Sequence, residues 1–155
     1  MASFILSLST HVLADESLPA VRHGLDILRR DMRAALTEGG PENVIRLSID
    51  PALPAEAYSA HVTPEEITLR CGDDLGAAYA LLSVSERLLE VKPLGWWMGL
   101  SPKRLGTVSV PCQSWESPKY KVRFRGWFVN DEELFPAGTA RKTPGPRCGS
   151  GCLKR

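Results

Sequence analysis

Ile67-Thr68-Leu69-Arg70-Cys71-Gly72-Asp73-Asp74-Leu75-Gly76-Ala77-Ala78-Tyr79-Ala80-Leu81-Leu82 changes its hydrophobic period in the middle. Up to Cys71 the apolar side chains alternate, as on a strand with one buried face, and after Gly72 they recur at three and four, as on a helix. Leu75, Ala78, Tyr79, Leu82 and Leu89 carry the helical spacing, and Leu81, Val84 and Leu88 widen the stripe. So broad a stripe predicts a helix pressed into a sheet. Pro93 and Gly95 close it. Upstream, Tyr58-Ser59-Ala60-His61-Val62-Thr63 alternates as well, and Pro64-Glu65-Glu66 separates the two runs, so together they read as a β-hairpin. Tyr58, Ala60 and Val62 share one face, and Ile67, Leu69 and Cys71 join them in the core.

Further toward the N-terminus, Asn43 to Asp50 places Ile45, Leu47 and Ile49 at period two, which is a half-buried strand. Leu18, Val21, Leu25, Leu28, Met32 and Leu36 lie along one face of a helix before it. Asp15, Glu16 and Ser17 precede that run, where a helix start favours acidic and polar groups, and Gly39-Gly40-Pro41 stops it. Arg22, Arg29, Arg30 and Arg33 fall largely on the other faces, interspersed with Asp26, Asp31 and Glu38, as on a solvated face. Phe4 to Ser9 is a first strand. A signal peptide is the rival reading of this start, but no Lys or Arg precedes the apolar stretch and polar residues interrupt it. The expected location is therefore cytoplasmic. The order strand, helix, strand, hairpin, helix predicts an α+β fold, a mainly antiparallel sheet with two helices packed on one face.

Downstream the composition shifts. Leu94 to Lys103 is an aromatic loop holding Trp96 and Trp97, Thr107 to Val110 is a short strand, and Lys119 to Asp131 is a further strand ending in polar groups. From Pro136 the residues are mostly Pro, Gly, Lys, Arg and Cys, with Leu153 the one sizeable apolar residue, so the tail is expected to be disordered. The expected organisation is a domain over residues 1–92, a Trp-rich connecting segment over 93–118, a strand remnant over 119–135 and a tail over 136–155.

The 155 residues, 43% hydrophobic and 24% charged, suit one globular core, and a net charge of +1 supplies no field to draw nucleic acid or an anionic membrane. The basic residues are neutralised and not clustered on one element, and no window approaches the roughly 18 apolar residues of a membrane span. Neither nucleic acid nor membrane is an expected partner. Cys148 and Cys152 form a C-x3-C pair with no second pair to complete a zinc set, and His11, His23 and His61 show no ligand spacing. No metal site and no cofactor is expected.

Taken together, the hairpin, the Asp-Asp-Leu-Gly-Ala-Ala-Tyr helix start at 73–79, the Trp96-Trp97 loop with Ser101-Pro102-Lys103-Arg104, and Phe124-Arg125-Gly126-Trp127-Phe128-Val129-Asn130-Asp131-Glu132 form a combination. It resembles the N-terminal accessory domain of bacterial hexosaminidases and alpha-glucuronidases, over roughly residues 1–135. In that resemblance Gly76 lets the helix start close against the sheet while Tyr79 and Leu82 anchor it, and 124–132 opens a catalytic (β/α)8 barrel. A barrel needs about 250 residues, so the chain corresponds to an accessory domain followed by an incomplete first barrel strand, as in a truncated or frameshifted product.

Strand ends on the C-terminal side of such barrels face the substrate, which would put Asn130, Asp131 and Glu132 at a sugar-binding rim. The alternative is that Asp131, Glu132 and Glu133 form the first turn of a helix, where carboxylates are favoured. Trp96 and Trp97 could stack on sugar rings or glue the domain to a barrel, and packing is the reading for Trp127. Adjacent carboxylates on one strand end do not flank a glycosidic bond, and the resemblance implies an acid and base on later strands, so no catalytic residue is assigned. The expected function is a non-catalytic N-terminal fragment of an alpha-glucuronidase-like glycoside hydrolase, inactive alone, with an oligosaccharide or polysaccharide as the family's partner. The alternatives are a stand-alone carbohydrate-binding module and an interaction module for a separately encoded barrel.

Overall fold

The computed structural model describes residues 2–95, 98–120, 122 and 126. The chain divides into a compact unit over Met1–Lys119 and a second over Tyr120–Arg155. The elements described belong to the first unit. They are β1 (Ser3–Leu6), β2 (His11–Leu13), α1 (Pro19–Ala35), β3 (Val44–Ile49), β4 (Tyr58–Val62), β5 (Glu66–Cys71), α2 (Asp74–Leu88), β6 (Val108–Pro111) and β7 (Gln113–Glu116).

The fold class is the one the sequence predicts, α+β with two helices. The sheets are mixed, with antiparallel pairings for β1 with β6, β4 with β5 and β4 with β7. Five strands run in the order β2-β3-β5-β4-β7, and β1 pairs separately with β6. β2 with β3 and β3 with β5 are parallel, while β4 is antiparallel to both β5 and β7. The parallel pairs follow from connectivity. α1 is a crossover between β2 and β3, and the chain passes β4 before it returns as β5 beside β3. The run read as one strand, Phe4 to Ser9, contributes only β1, and a turn in which Ser7 N donates to Thr10 Oγ1 (3.1 Å) leads to β2 in the other sheet.

Register puts the apolar side chains on one face. Ile45 lies beside Ile67, Leu47 beside Leu69, Val62 opposite Ile67 and Ala60 opposite Leu69, and all are buried. The neighbouring positions Arg46, Arg70 and His61 are exposed. One buried face means that both helices cover the same side, and α2 lies across β3, β4 and β5. Ile49, expected inside, is 40% exposed at the end of β3.

α1 buries Val21, Leu25, Leu28 and Met32, as its period predicts. Its start differs from expectation. Leu18 is the N-cap without a side-chain bond, and Pro19 opens the helix, where its fixed φ and missing N–H cost nothing. The acidic residues sit outside the first turn. Asp15 Oδ1 accepts from Ser17 N (3.0 Å), and Glu16 pairs with Arg29 (2.6 Å), which holds its carboxyl below the usual range. The helix also ends before Gly39. Leu36 is already extended and bridges to Gly106.

α2 requires a correction. Its buried residues include Gly76, Ala77, Ala80, Leu81, Val84 and Leu88, whereas Leu75 and Leu82, given to the core by the sequence reading, are 45% and 36% exposed. Tyr79 is half-buried and packs against the core as expected, while the anchoring assigned to Leu82 falls instead to Ala77, Ala80 and Leu81. The expected close start does occur. A Cβ on Gly76 would lie 2.6 Å from Ala57 O, a backbone atom that cannot yield. Asp73 caps the helix, its Oδ1 accepting from Gly76 N (2.7 Å) and from Glu56 N (3.0 Å).

Residues 108–116, inside the stretch read as a connecting segment, supply two strands. Val110 of β6 and Trp115 of β7 are both buried. Trp115 sits opposite Ala60, its Nε1 donates to Ser83 Oγ (3.0 Å), and the Arg87 guanidinium lies 5.7 Å from its ring centre.

Candidate functional site

Trp96, Trp97, Asn130, Asp131 and Glu132, the sequence-predicted sugar contacts, lie outside the described residues, as do Trp127 and the proposed barrel strand. The described residues nevertheless limit where a sugar could stack. The exposed face of the five-stranded sheet carries Arg46, Ser48, Ser59, His61, Thr68, Arg70 and Ser114, and no Trp, Tyr or Phe among the described residues. Trp115 is committed to the core. That sheet face is organised by ion pairs between Arg46 and Glu66 (3.3 Å) and between Arg70 and Asp50. The Asp50 carboxyl is held below its ordinary value by the backbone N–H of Ala52 and then by Arg70.

A Ser–His pair does occur there. His61 Nδ1 lies 2.8 Å from Ser114 Oγ. It is exposed, and no carboxylate orients the ring from its other side among the described residues, so the three-part arrangement of a nucleophilic site is absent from them. The thiols divide sharply. Cys112 is exposed, and Cys71 is buried with its pKa pushed up to about 12, first by burial and then by the Asp73 charge. A thiol so raised is a small apolar core group rather than a nucleophile. No group of His, Cys, Asp and Glu among the described residues could hold a metal ion. No helix among them is long and apolar enough to cross a membrane.

A cleft of about 400 Å³ lies between the second half of α1 and the segment after α2. Its polar lining is Arg30, Asp31, Glu90, Lys92, Ser101 and Lys103, and Val91, Leu100 and Pro102 supply carbon surface. Asp31, grouped by the sequence reading with the solvated face, has a side chain only 2% exposed, and Arg30 Nε and Nη2 reach its Oδ1 at 3.0 and 2.8 Å. The signal was available in the sequence: Asp31 sits three residues after Leu28 and next to Met32, at the border of the apolar stripe.

No protein-family model matches the chain. No curated protein matches it either. Solved structures do. A family GH115 4-O-methyl-alpha-glucuronidase, described as having specificity for decorated arabinogalactans, superposes with a TM-score of 0.61 at 22% identity, over 74% of this chain and 18% of that one. A glycoside hydrolase family 20 beta-N-acetylglucosaminidase gives 0.48 at 22% identity, over 74% and 19%. A GH20 exo beta-N-acetylglucosaminidase from Vibrio harveyi gives 0.43 at 21% identity, over 74% and 16%. The chain thus spans less than a fifth of the length of each. The first likeness establishes a fold shared with one part of a glycoside hydrolase.

Proposed function

We propose that this chain is the non-catalytic N-terminal part of a carbohydrate-active glycoside hydrolase of the alpha-glucuronidase type, acting on an oligosaccharide or polysaccharide. The observation that supports this most is that a superposition takes in 74% of the chain but only 18% of the larger enzyme, while the chain forms a compact unit of its own over Met1–Lys119. A whole α+β core is used up before the stretch that resembles a first barrel strand begins. In this reading Trp96, Trp97, Asn130, Asp131 and Glu132 contact substrate only when the rest of a barrel is present. The carboxylates best fixed in the described unit have structural work: Asp73 caps α2, Glu16 and Glu66 pair with arginines, and Asp50 holds a turn and Arg70.

The test is a hydrolysis assay of the purified chain on 4-methylumbelliferyl and natural alpha-glucuronosides. The expected result is no turnover above the blank. Turnover that survives repeated purification would end the non-catalytic reading. Stoichiometric co-purification with a separately encoded barrel would favour the interaction-module alternative, and selective binding on a glycan array would favour the stand-alone binding module.

A further inference from the structure

We propose that the cleft between α1 and residues 90–95 and 100–103 is a saccharide site that holds one sugar unit by its hydroxyl groups; this rests on the carbohydrate reading above and places a ligand site inside the α+β unit itself. The cleft's volume of about 400 Å³ is in the range that small-ligand sites occupy. Asp31 is its distinguishing group. A carboxylate on an amphipathic helix normally faces water, but this side chain is 2% exposed and still lines the cleft. Both of its side-chain contacts, from Arg30 Nε and Nη2, fall on Oδ1. Among the described residues no side-chain donor meets Oδ2, which is left to accept from whatever enters. Withdrawing a carboxylate from water is costly unless donors meet its lone pairs, and vicinal hydroxyls are suitable donors.

Charge decides the ligand class. Arg30 is paired with Asp31, and Lys103 lies 3.8 Å from Glu90, so among the described residues Lys92 is the one lining cation outside these pairs. A phosphate site would need converging uncompensated cations and would be repelled by Asp31 and Glu90. A neutral polyol suits the balance. Lys92 and Ser101 donate or share hydrogen bonds, Asp31 and Glu90 accept, and Val91, Leu100 and Pro102 meet the C–H face of a pyranose ring.

An NMR titration of the full chain tests this, with D-glucose, D-galactose, D-xylose and N-acetylglucosamine as probes and inorganic phosphate as the anionic control. We expect saturable amide shifts at Arg30, Asp31, Lys92 and Ser101 with at least one sugar. Affinity should fall about tenfold in Asp31→Asn, which keeps shape and loses the charged acceptor. Lys92→Ala and Ser101→Ala, both on an exposed segment, supply the same reading should Asp31→Asn fail to fold. Failure of all four sugars to shift these amides overturns the site, as does a shift that none of the variants weakens. Phosphate saturating the same amides at equal or lower concentration overturns the ligand class. Sugar shifts that map elsewhere remove the cleft but leave the carbohydrate reading standing, and that reading fails separately, through the hydrolysis and co-purification assays.

Discussion

The two helices of this domain have similar lengths and share one core, yet they expose themselves to sequence reasoning in opposite ways. α1 meets its surroundings along one stripe: Val21, Leu25, Leu28 and Met32 face inward, and Arg22, Arg30 and Arg33 face water. α2 is held from several directions. Ala77, Ala80 and Val84 are buried in the common core, Ala78 and Leu81 meet α1 where a Cβ on Gly24 would lie 3.2 and 3.1 Å away, and Ser83 and Arg87 grip Trp115 of β7. A helix contacted around most of its circumference has no single apolar stripe to read. What marks its tight side is residue size: Gly76, Ala77 and Ala80 are buried while the larger Leu75 and Leu82 are exposed.

The largest effect should come from removing the grip that separates the helices. Trp115→Ala deletes a 7% exposed indole, its hydrogen bond to Ser83 and the Arg87 stacking. We expect a loss of about 3–5 kcal/mol in urea unfolding, in the range of large aromatic truncations. A loss below about 1 kcal/mol, the scale of an ordinary surface change, would mean that β7 is a detachable edge and that α2 is as one-sided as α1.

Within α2, Leu81→Ala should cost about 2–5 kcal/mol and Leu75→Ala less than about 0.5 kcal/mol, because only the first side chain is buried. Equal losses would restore the stripe that the period alone suggests, with Leu75 inside.

That contrast explains how much was legible. The hairpin could be read because its two runs each keep period two and the turn between them carries Pro64. α1 could be read because arginines label its outer face. The burial pattern of α2 could not, since both of its sides are apolar. The pairing of β6 with β1 and of β7 with β4 was equally hidden, because partners more than fifty residues apart leave no local signal. At the candidate site, the residue types that stack on or hydrogen-bond sugars drew attention to Trp96, Trp97 and Asn130 to Glu132. Asp31 stands at the border of the α1 stripe, so its spacing marks it as a candidate for burial, and what packs over the helix decides the outcome.

Helix entry gives a smaller contrast. α1 starts on Leu18 with no side-chain cap and relies on Pro19, whereas Asp73 Oδ1 accepts two backbone N–H groups at the start of α2. Asp73→Ala should therefore cost about 1–2 kcal/mol. Asp73→Asn, which keeps an acceptor oxygen, should recover most of it. If both substitutions are equally harmless, α2 is held by packing alone.

The smallest effect carries a sign rather than a size, and it compares two serines on successive sides of α2. Ser83 Oγ donates to Ala80 O (2.7 Å) and accepts from Trp115 Nε1 (3.0 Å). Ser85 Oγ is buried and has no partner among the described residues. Ser83→Ala strands the indole N–H and should destabilise by about 1 kcal/mol or more. Ser85→Ala removes a hydroxyl that lost its water on folding and gained nothing in return, and alanine is also the better helix former, so the variant should be more stable by about 0.5 kcal/mol. Chemical denaturation of the two variants with unchanged slope reads the difference directly. If Ser85→Ala is instead destabilised as much as Ser83→Ala, its hydroxyl is satisfied by a buried water. α2 would then be hydrated on one side.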